Sequence, residues 1–298
     1  MTVVPPAAGE PRRPLGPLNP GDAWVVADSG ERYWGRFGAA GLLAHDPVRG
    51  VLLQHRVAWS HFGDTWGLPG GALHEGESAL VGAVREAQEE AGVPGDALRV
   101  RFTSVYDVTI WSYTTVVADV VEPFEPVISD PESVALEWVA LDEVDRLPLH
   151  PGFAAAWPAL RGLLDTRPVV VVDGANVVGS VPDGWWRDRL GAAARLRDRL
   201  AGVGVAGAEF GLGGAEWFPE VRLVVEGQAK QLGAGEGDVV VIGADAAGDD
   251  TIVEEAARLA AAGRAVIVVT SDRGLRGRVE ASGARVQGAG WILERLER

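Results

Sequence analysis

The chain has 298 residues, 47% hydrophobic and 23% charged, a composition that describes folded domains and a length that suits two of them. It has no cysteine, which excludes disulfides, zinc–thiolate centres and thiol catalysis, and its net charge of −15 argues against a nucleic-acid binder that works by bulk positive charge. The acidity is uneven: residues 1–166 hold 11 arginines against 23 acidic residues, and residues 167–298 hold 16 basic against 19 acidic ones. An acidic protein that handles phosphates needs metal ions as intermediaries.

The first 20 residues contain six prolines and no long apolar core, so residues 1–21 read as a disordered leader and not as a signal peptide. No apolar run reaches the length of a membrane span, and the expectation is a soluble cytoplasmic protein. From residue 22 the pattern is strand-rich, with candidate strands at 39–46, 50–56, 100–121 (two strands) and 135–143. One helix interrupts them at 78–91, and a second, limited by Pro158, covers 153–164. Short continuous apolar runs then recur at 168–174, 221–227, 238–244 and 265–271, separated by helical patterns at 184–201, 249–262 and 273–282. Buried parallel strands under crossover helices have this rhythm. The expected domains are therefore 22–166, a mixed sheet, and 167–298, a parallel-sheet α/β unit.

The helix at 78–91 carries REAQEEAG, residues 85–92, with three glutamates and no lysine. At about 100° per residue, Leu80, Val84, Ala87 and Ala91 share one arc and form the expected core stripe. Glu86, Glu89 and Glu90 share another. Carboxylates at i, i+3 and i+4 repel, and the helix C-terminus disfavours them further. A divalent cation is the simplest compensation, since hard metals take clustered carboxylate oxygens. Upstream, Gly70 and Gly71 read as a tight turn and Glu77 as the opening of the helix.

Gly71, Glu77, Arg85, Glu86, Ala87, Glu89, Glu90, Gly92 and Val93 stand at the spacing of a complete Nudix box. Residues 37–165 accordingly resemble a Nudix hydrolase. The resemblance implies an α/β/α sandwich with a mixed sheet and a loop–helix–loop active site. It assigns Mg²⁺ or Mn²⁺ to Glu86, Glu89 and Glu90, with the Gly71 carbonyl as a further ligand. Arg85 then orients the glutamates, Glu77 holds the loop, and the reaction is hydrolysis of a nucleoside diphosphate derivative. The general base is Glu86 or Glu137, the latter just before Trp138. An aromatic from Trp59, His61, Phe62 and Trp66 is placed to stack on a base, although packing is the commoner fate of such residues. The five histidines have no ligand-like spacing.

In the second half the acids fall at strand ends: Asp173 after PVVVV, Asp249 and Asp250 at a helix start, Asp272 after AVIVVTS. A doubly wound parallel sheet brings the carboxyl ends of its strands to one crevice. Each acid alone also fits an ordinary cap or turn. The stretches VVVDGANVV, GDDTIVEEA and VVTSDRGLRGRVEASGA resemble the NYN/PIN-like nucleases, in particular their YacP-like branch. That resemblance implies metal binding by Asp173, Asp249 or Asp250, and Asp272, with Asn176 in the site and RNA as substrate. Glu226 stands where relatives often carry aspartate. Arginines 187, 189, 195, 197 and 199 read mainly as a solvated helix surface. The expectation is a Mg²⁺- or Mn²⁺-dependent pyrophosphohydrolase with an appended ribonuclease. The alternatives are a nucleotide-sensing module that regulates the nuclease, or a non-catalytic RNA- or protein-binding scaffold.

Overall fold

The structure, a computed structural model, describes residues 1–7, 20–233, 235, 238–245 and 247–297. The chain divides into two compact units, Met1–Leu164 and Asp165–Arg298.

The first unit begins with a three-stranded antiparallel sheet of β1 (Thr2–Val4), β2 (Trp24–Val26) and β3 (Arg32–Trp34). The leader expected over residues 1–21 is thus ordered at Thr2–Val4, where a β-prone Thr-Val-Val run pairs with Trp24–Val26. Residues 8–19 of that leader lie outside the described ones. Trp24 and Trp34 face each other across β2 and β3 and meet edge to face at 4.9 Å, closing a small core with Ala72.

The main sheet runs β10 (Ser133–Val139), β5 (Gly50–Arg56), β4 (Ala39–Asp46), β9 (Ser112–Val120), β8 (Leu98–Asp107). The β4–β9 pair is parallel and the other pairs are antiparallel, so the sheet is mixed as expected. Between β4 and β5 only His45↔Val51 and Asp46↔Gly50 pair, and the strands then part. Two short strands take the vacated edges: β6 (Trp66–Gly67) on β5 and β7 (Gly70–Ala72) on β4. Helix α1 (Ala79–Ala91) packs on the face made by Ala40, Leu42, Ala44, Leu52, Val116 and Ala118. Helix α2 (Pro151–Leu163) follows β10 and runs through Pro158 without a break.

The second unit has a five-stranded sheet, entirely parallel, in the order β15 (Val239–Gly243), β14 (Glu220–Val225), β11 (Val169–Asp173), β16 (Val266–Val269), β17 (Arg285–Gln287). Its helices are α3 (Gly174–Gly179), α4 (Arg189–Leu200), α5 (Gly207–Phe210), α6 (Gly248–Ala261), α7 (Arg273–Glu280) and α8 (Ala289–Leu296). A two-stranded ribbon, β12 (Val205–Ala206) with β13 (Glu216–Trp217), precedes β14. Every residue of β11 and β16 is buried, as their uninterrupted valine-rich runs require of strands covered on both faces. The chain winds outward from β11 to β14 and β15, then returns to add β16 and β17 on the other side. The strand order therefore reverses beside β11, and ligand crevices form at such a point.

Candidate functional site

Helix α1 starts where Ser78 accepts a hydrogen bond from the Val81 N–H, and stops where Gly92 enters the left-handed region at φ 63°. Glu77 lies just before the cap, so it does not open the helix. The core stripe also differs from the expected one. Its buried positions are Gly82, Ala83, Glu86, Ala87, Glu90 and Ala91, while Leu80 and Val84 are only half-buried. Two carboxylates thus sit on the inner face of the helix, where small neighbours leave room beside the backbone of β7.

Glu90 is 6% exposed and accepts the Gly70 N–H at 2.8 Å. Glu86 is 8% exposed, and a side chain at Gly71 would place its Cβ 2.5 Å from the Glu86 carboxylate. A Cβ on Gly70 would meet the Ala40 carbonyl at 2.5 Å. The two glycines are therefore needed for close approach within a paired strand, and not for the tight turn expected of them. Neither has the positive φ such a turn requires.

Arg85 organises the other acids. Its Nε and Nη2 donate to the two oxygens of Glu77 at 2.8 and 2.9 Å, a bidentate pair. Its Nη1 donates to Glu86 at 2.9 Å and to Glu89 at 3.2 Å, and its Nη2 also reaches the Ala72 carbonyl at 3.2 Å. Glu77 accepts the His74 N–H at 2.9 Å, tying the loop to the helix. The Arg85 hydrogen bonds hold the Glu77 carboxyl far below its ordinary range, at about 2, against the opposing effect of burial. The same contacts push the Arg85 pKa up. Repulsion among the box glutamates is thus relieved in two ways: Glu90 is taken by backbone, and Glu86 and Glu89 share one guanidinium. Among the described residues no three His, Asp or Glu side chains are gathered as a ready metal cage.

The donor set nevertheless suits a hard divalent cation. Glu86, Glu89 and Glu90 offer carboxylate oxygens, and the bare Gly71 leaves the Glu86 carboxylate directly against the backbone. Glu137 is exposed on β10, opposite Leu53, and takes no part in the Arg85 network. Of the aromatics before the box, Trp66 is buried and stacks on His55 at 4.8 Å, His61 packs against Trp24, and Trp59 and Phe62 are exposed.

In the second unit, Asp173, Asn176, Glu226, Asp249 and Asp272 line one cavity of about 210 Å³ at the carboxyl end of the sheet. Asp173 ends β11, accepts the Asn176 N–H at 3.0 Å, and accepts the Thr270 hydroxyl at 2.9 Å. Burial raises its pKa, and the charges of Asp249 and Glu226 add to the rise. Asn176 accepts the Ser271 N–H at 2.8 Å and Asp272 caps α7. Asp250, by contrast, is outside the cavity and pairs with Arg278 at 2.6 Å, so Asp249 is the residue of that pair that belongs here. Glu226, standing where aspartate is the commoner residue in the resemblance, also lines the cavity and accepts the Gly248 N–H at 3.2 Å. Sequence reasoning missed Thr270, fully buried and bonded both to Asp173 and to the Asp272 N–H. A polar residue ending the apolar run AVIVV was the available signal.

The NUDIX domain family matches residues 35–161. The putative 8-oxo-dGTP diphosphatase 3 of Mycobacterium tuberculosis, in two strains, is 50% identical over 183 residues, 58% of this chain and 82% of that protein. A nucleoside triphosphate pyrophosphatase/Nudix hydrolase fusion protein of Bifidobacterium longum is 41% identical over 154 residues, 49% of this chain and 32% of that protein. Among solved structures, the Nudix hydrolase RenU of M. smegmatis is 50% identical, with a TM-score of 0.44, over 48% of this chain and 94% of that one. Half identity to a relative matched over four-fifths of its length, with the family match spanning Gly71 to Val93, makes this chain a member of the Nudix family.

Proposed function

We propose that residues 22–166 hydrolyse the pyrophosphate bond of a nucleoside diphosphate derivative, and that Mg²⁺ or Mn²⁺ is held by Glu86, Glu89, Glu90 and the Gly71 carbonyl. The observation that carries the proposal is the Arg85 hub, which fixes Glu77 bidentately and brings Glu86 and Glu89 to one guanidinium beside Gly71. A divalent cation bound there supplies positive charge against the pyrophosphate and acidifies water. Arg85 and Glu77 keep the loop of residues 70–77 against α1, so that the carboxylates meet the substrate in one orientation. Glu86 or Glu137 accepts the proton of the attacking water, while the P–O bond to the leaving phosphate breaks. The name of the mycobacterial relative makes purine nucleoside triphosphates, 8-oxo-dGTP among them, the first substrates to test. Glu89→Gln, assayed on a nucleotide panel with Mg²⁺ and with Mn²⁺, is expected to lower turnover at least a hundredfold. Unchanged turnover on a good substrate removes the assignment.

A second reading concerns residues 167–298, which we infer to be a NYN/PIN-like, metal-dependent ribonuclease domain. It is favoured by one observation: acids from four separate segments line a single cavity where the strand order reverses. In this reading Asp173, Asp249 and Asp272 hold the metal and Asn176 faces the substrate. Loss of RNA cleavage in Asp272→Asn supports it, and cleavage at the wild-type rate removes the metal-nuclease reading. Nucleotide binding without turnover, together with RNA cleavage that changes when nucleotide is added, identifies the first unit as a sensor instead.

A further inference from the structure

Near the acidic cavity of the second unit the surface turns aromatic and basic. Gly184, at φ 84°, leads into a single 3-10 turn at Trp185–Arg187. Trp185 lies back on α3, where a side chain at Gly179 would meet its Cζ2 at 3.8 Å. Trp186 is 57% exposed, its ring centroid 6.1 Å from that of Trp185 and its plane at 83° to it. The Arg189 guanidinium stands 5.5 Å from the Trp185 ring, and Arg187 is exposed between the indoles and α4.

The remaining arginines of α4 are committed. Arg195 pairs with Asp183, Arg197 with Asp198 and the Gly233 carbonyl, and Arg199 with the Leu296 carbonyl. Among the described residues, neither Arg187 nor Arg189 has a carboxylate partner. In a chain of net charge −15, these two guanidiniums flank the capping Asp188 beside an exposed indole and leave a local excess of positive charge. The cavity itself carries Asp173, Glu226, Asp249 and Asp272, and so repels phosphate. Any polyanion brought to it needs a cationic hold nearby. Gly179, under Trp185, lies three residues beyond Asn176, about 4.5 Å of helix rise from the cavity wall.

We propose that Trp186, Arg187 and Arg189 form a binding site for single-stranded polynucleotide, with a base stacked on Trp186 and the flanking phosphates on the two arginines. The proposal rests on the polynucleotide reading of the second unit. Every base has a π-face, so stacking on an indole tolerates sequence, but it needs an unstacked base. A duplex hides that face. One mononucleotide engages only part of the patch, so affinity grows with length.

The test uses the full-length chain in EDTA and follows the fluorescence anisotropy of labelled oligonucleotides of about 12 nucleotides. Single-stranded RNA binds, and the duplex of the same sequence binds at least about tenfold more weakly. Single-stranded DNA is run as a second arm: equal affinity assigns the contacts to base and phosphate, and a preference for RNA adds the 2′-hydroxyl. Trp186→Ala weakens binding about tenfold, whereas Trp186→Phe keeps most of it. The double variant Arg187→Ala, Arg189→Ala weakens binding and flattens its salt dependence. Circular dichroism melts confirm that these exposed substitutions leave the fold intact. Wild-type affinity in both the Trp186→Ala and the double-arginine variants overturns the proposal, and so does a nucleoside triphosphate that competes as well as the oligomer. Binding that depends on Trp186 without any cleavage when Mn²⁺ is restored sinks the nuclease reading alone. Cleavage that Asp272→Asn abolishes, but with binding indifferent to Trp186, sinks the stacking site alone.

Discussion

At the scale of single residues, Arg85 decides how three carboxylates, Glu77, Glu86 and Glu89, coexist. Glu77 receives two of its hydrogen bonds with only 10% of the glutamate side chain exposed, and its pKa falls to about 2. Because the folded value lies below the unfolded one, the stabilisation is fully present above about pH 4.5 and is lost as the pH falls toward 2. It amounts to something on the order of 3 kcal/mol. Glu77→Gln is expected to lower the melting temperature at pH 7 and to lose less stability than wild type between pH 5 and about pH 3, as thermal melts across that range will register. Asp173 has the opposite sign. Burial raises its pKa, so its ionised form costs stability at neutral pH, and the wild type becomes more stable as the pH falls through the raised value. Asp173→Asn keeps an acceptor for the Asn176 N–H and is expected to raise the melting temperature at pH 7 in EDTA. A melting temperature at or below that of wild type contradicts this account of Asp173.

At the scale of elements, α1 is set by its two caps as much as by its apolar stripe. Gly92 stops the helix in the left-handed region, with its N–H on the Ala87 and Gln88 carbonyls. A Cβ there would also stand 3.3 Å from Val127. Gly92→Ala is expected to cost about 1–2 kcal/mol, and Gly92→Asn less, because asparagine visits that conformation more readily. Equal denaturation midpoints for the two variants would put the cost in the Val127 contact and not in the backbone. The long elements were legible in the residues. Ala39–Asp46 and Gly50–Arg56 match their expected spans, because hydrophobic pattern and turn residues agree there. The short strands β6 and β7 were not legible, since two or three residues carry no periodicity and form here where the longer β5 and β4 offer an unpaired edge. Pro158 likewise misleads: it is exposed within α2, and Phe153, Trp157 and Leu160 on the buried face keep the helix in place around it.

At the scale of the whole molecule, each unit has its own sheet, hydrophobic core and acidic site. Substitutions that share no contacts act additively. Glu89→Gln is therefore expected to abolish nucleotide hydrolysis and spare RNA cleavage, and Asp272→Asn to do the reverse, within about a factor of two. Loss of both activities in either variant would mean that the two sites are coupled. No helix among the described residues is long and apolar enough to cross a membrane.

The sequence by itself determined the Nudix box, because its meaning lies in fixed spacings along one loop and one helix. It also determined the parallel sheet of the second unit, since strands buried on both faces must be apolar at every position. Only the tertiary structure decided what each acid touches. Glu90 on the Gly70 N–H, Glu77 on Arg85, and Asp249 in the cavity with Asp250 on Arg278 are contacts across turns and strands, and spacing cannot specify them. The same holds for Gly71, whose missing side chain matters only because Glu86 comes to rest against it.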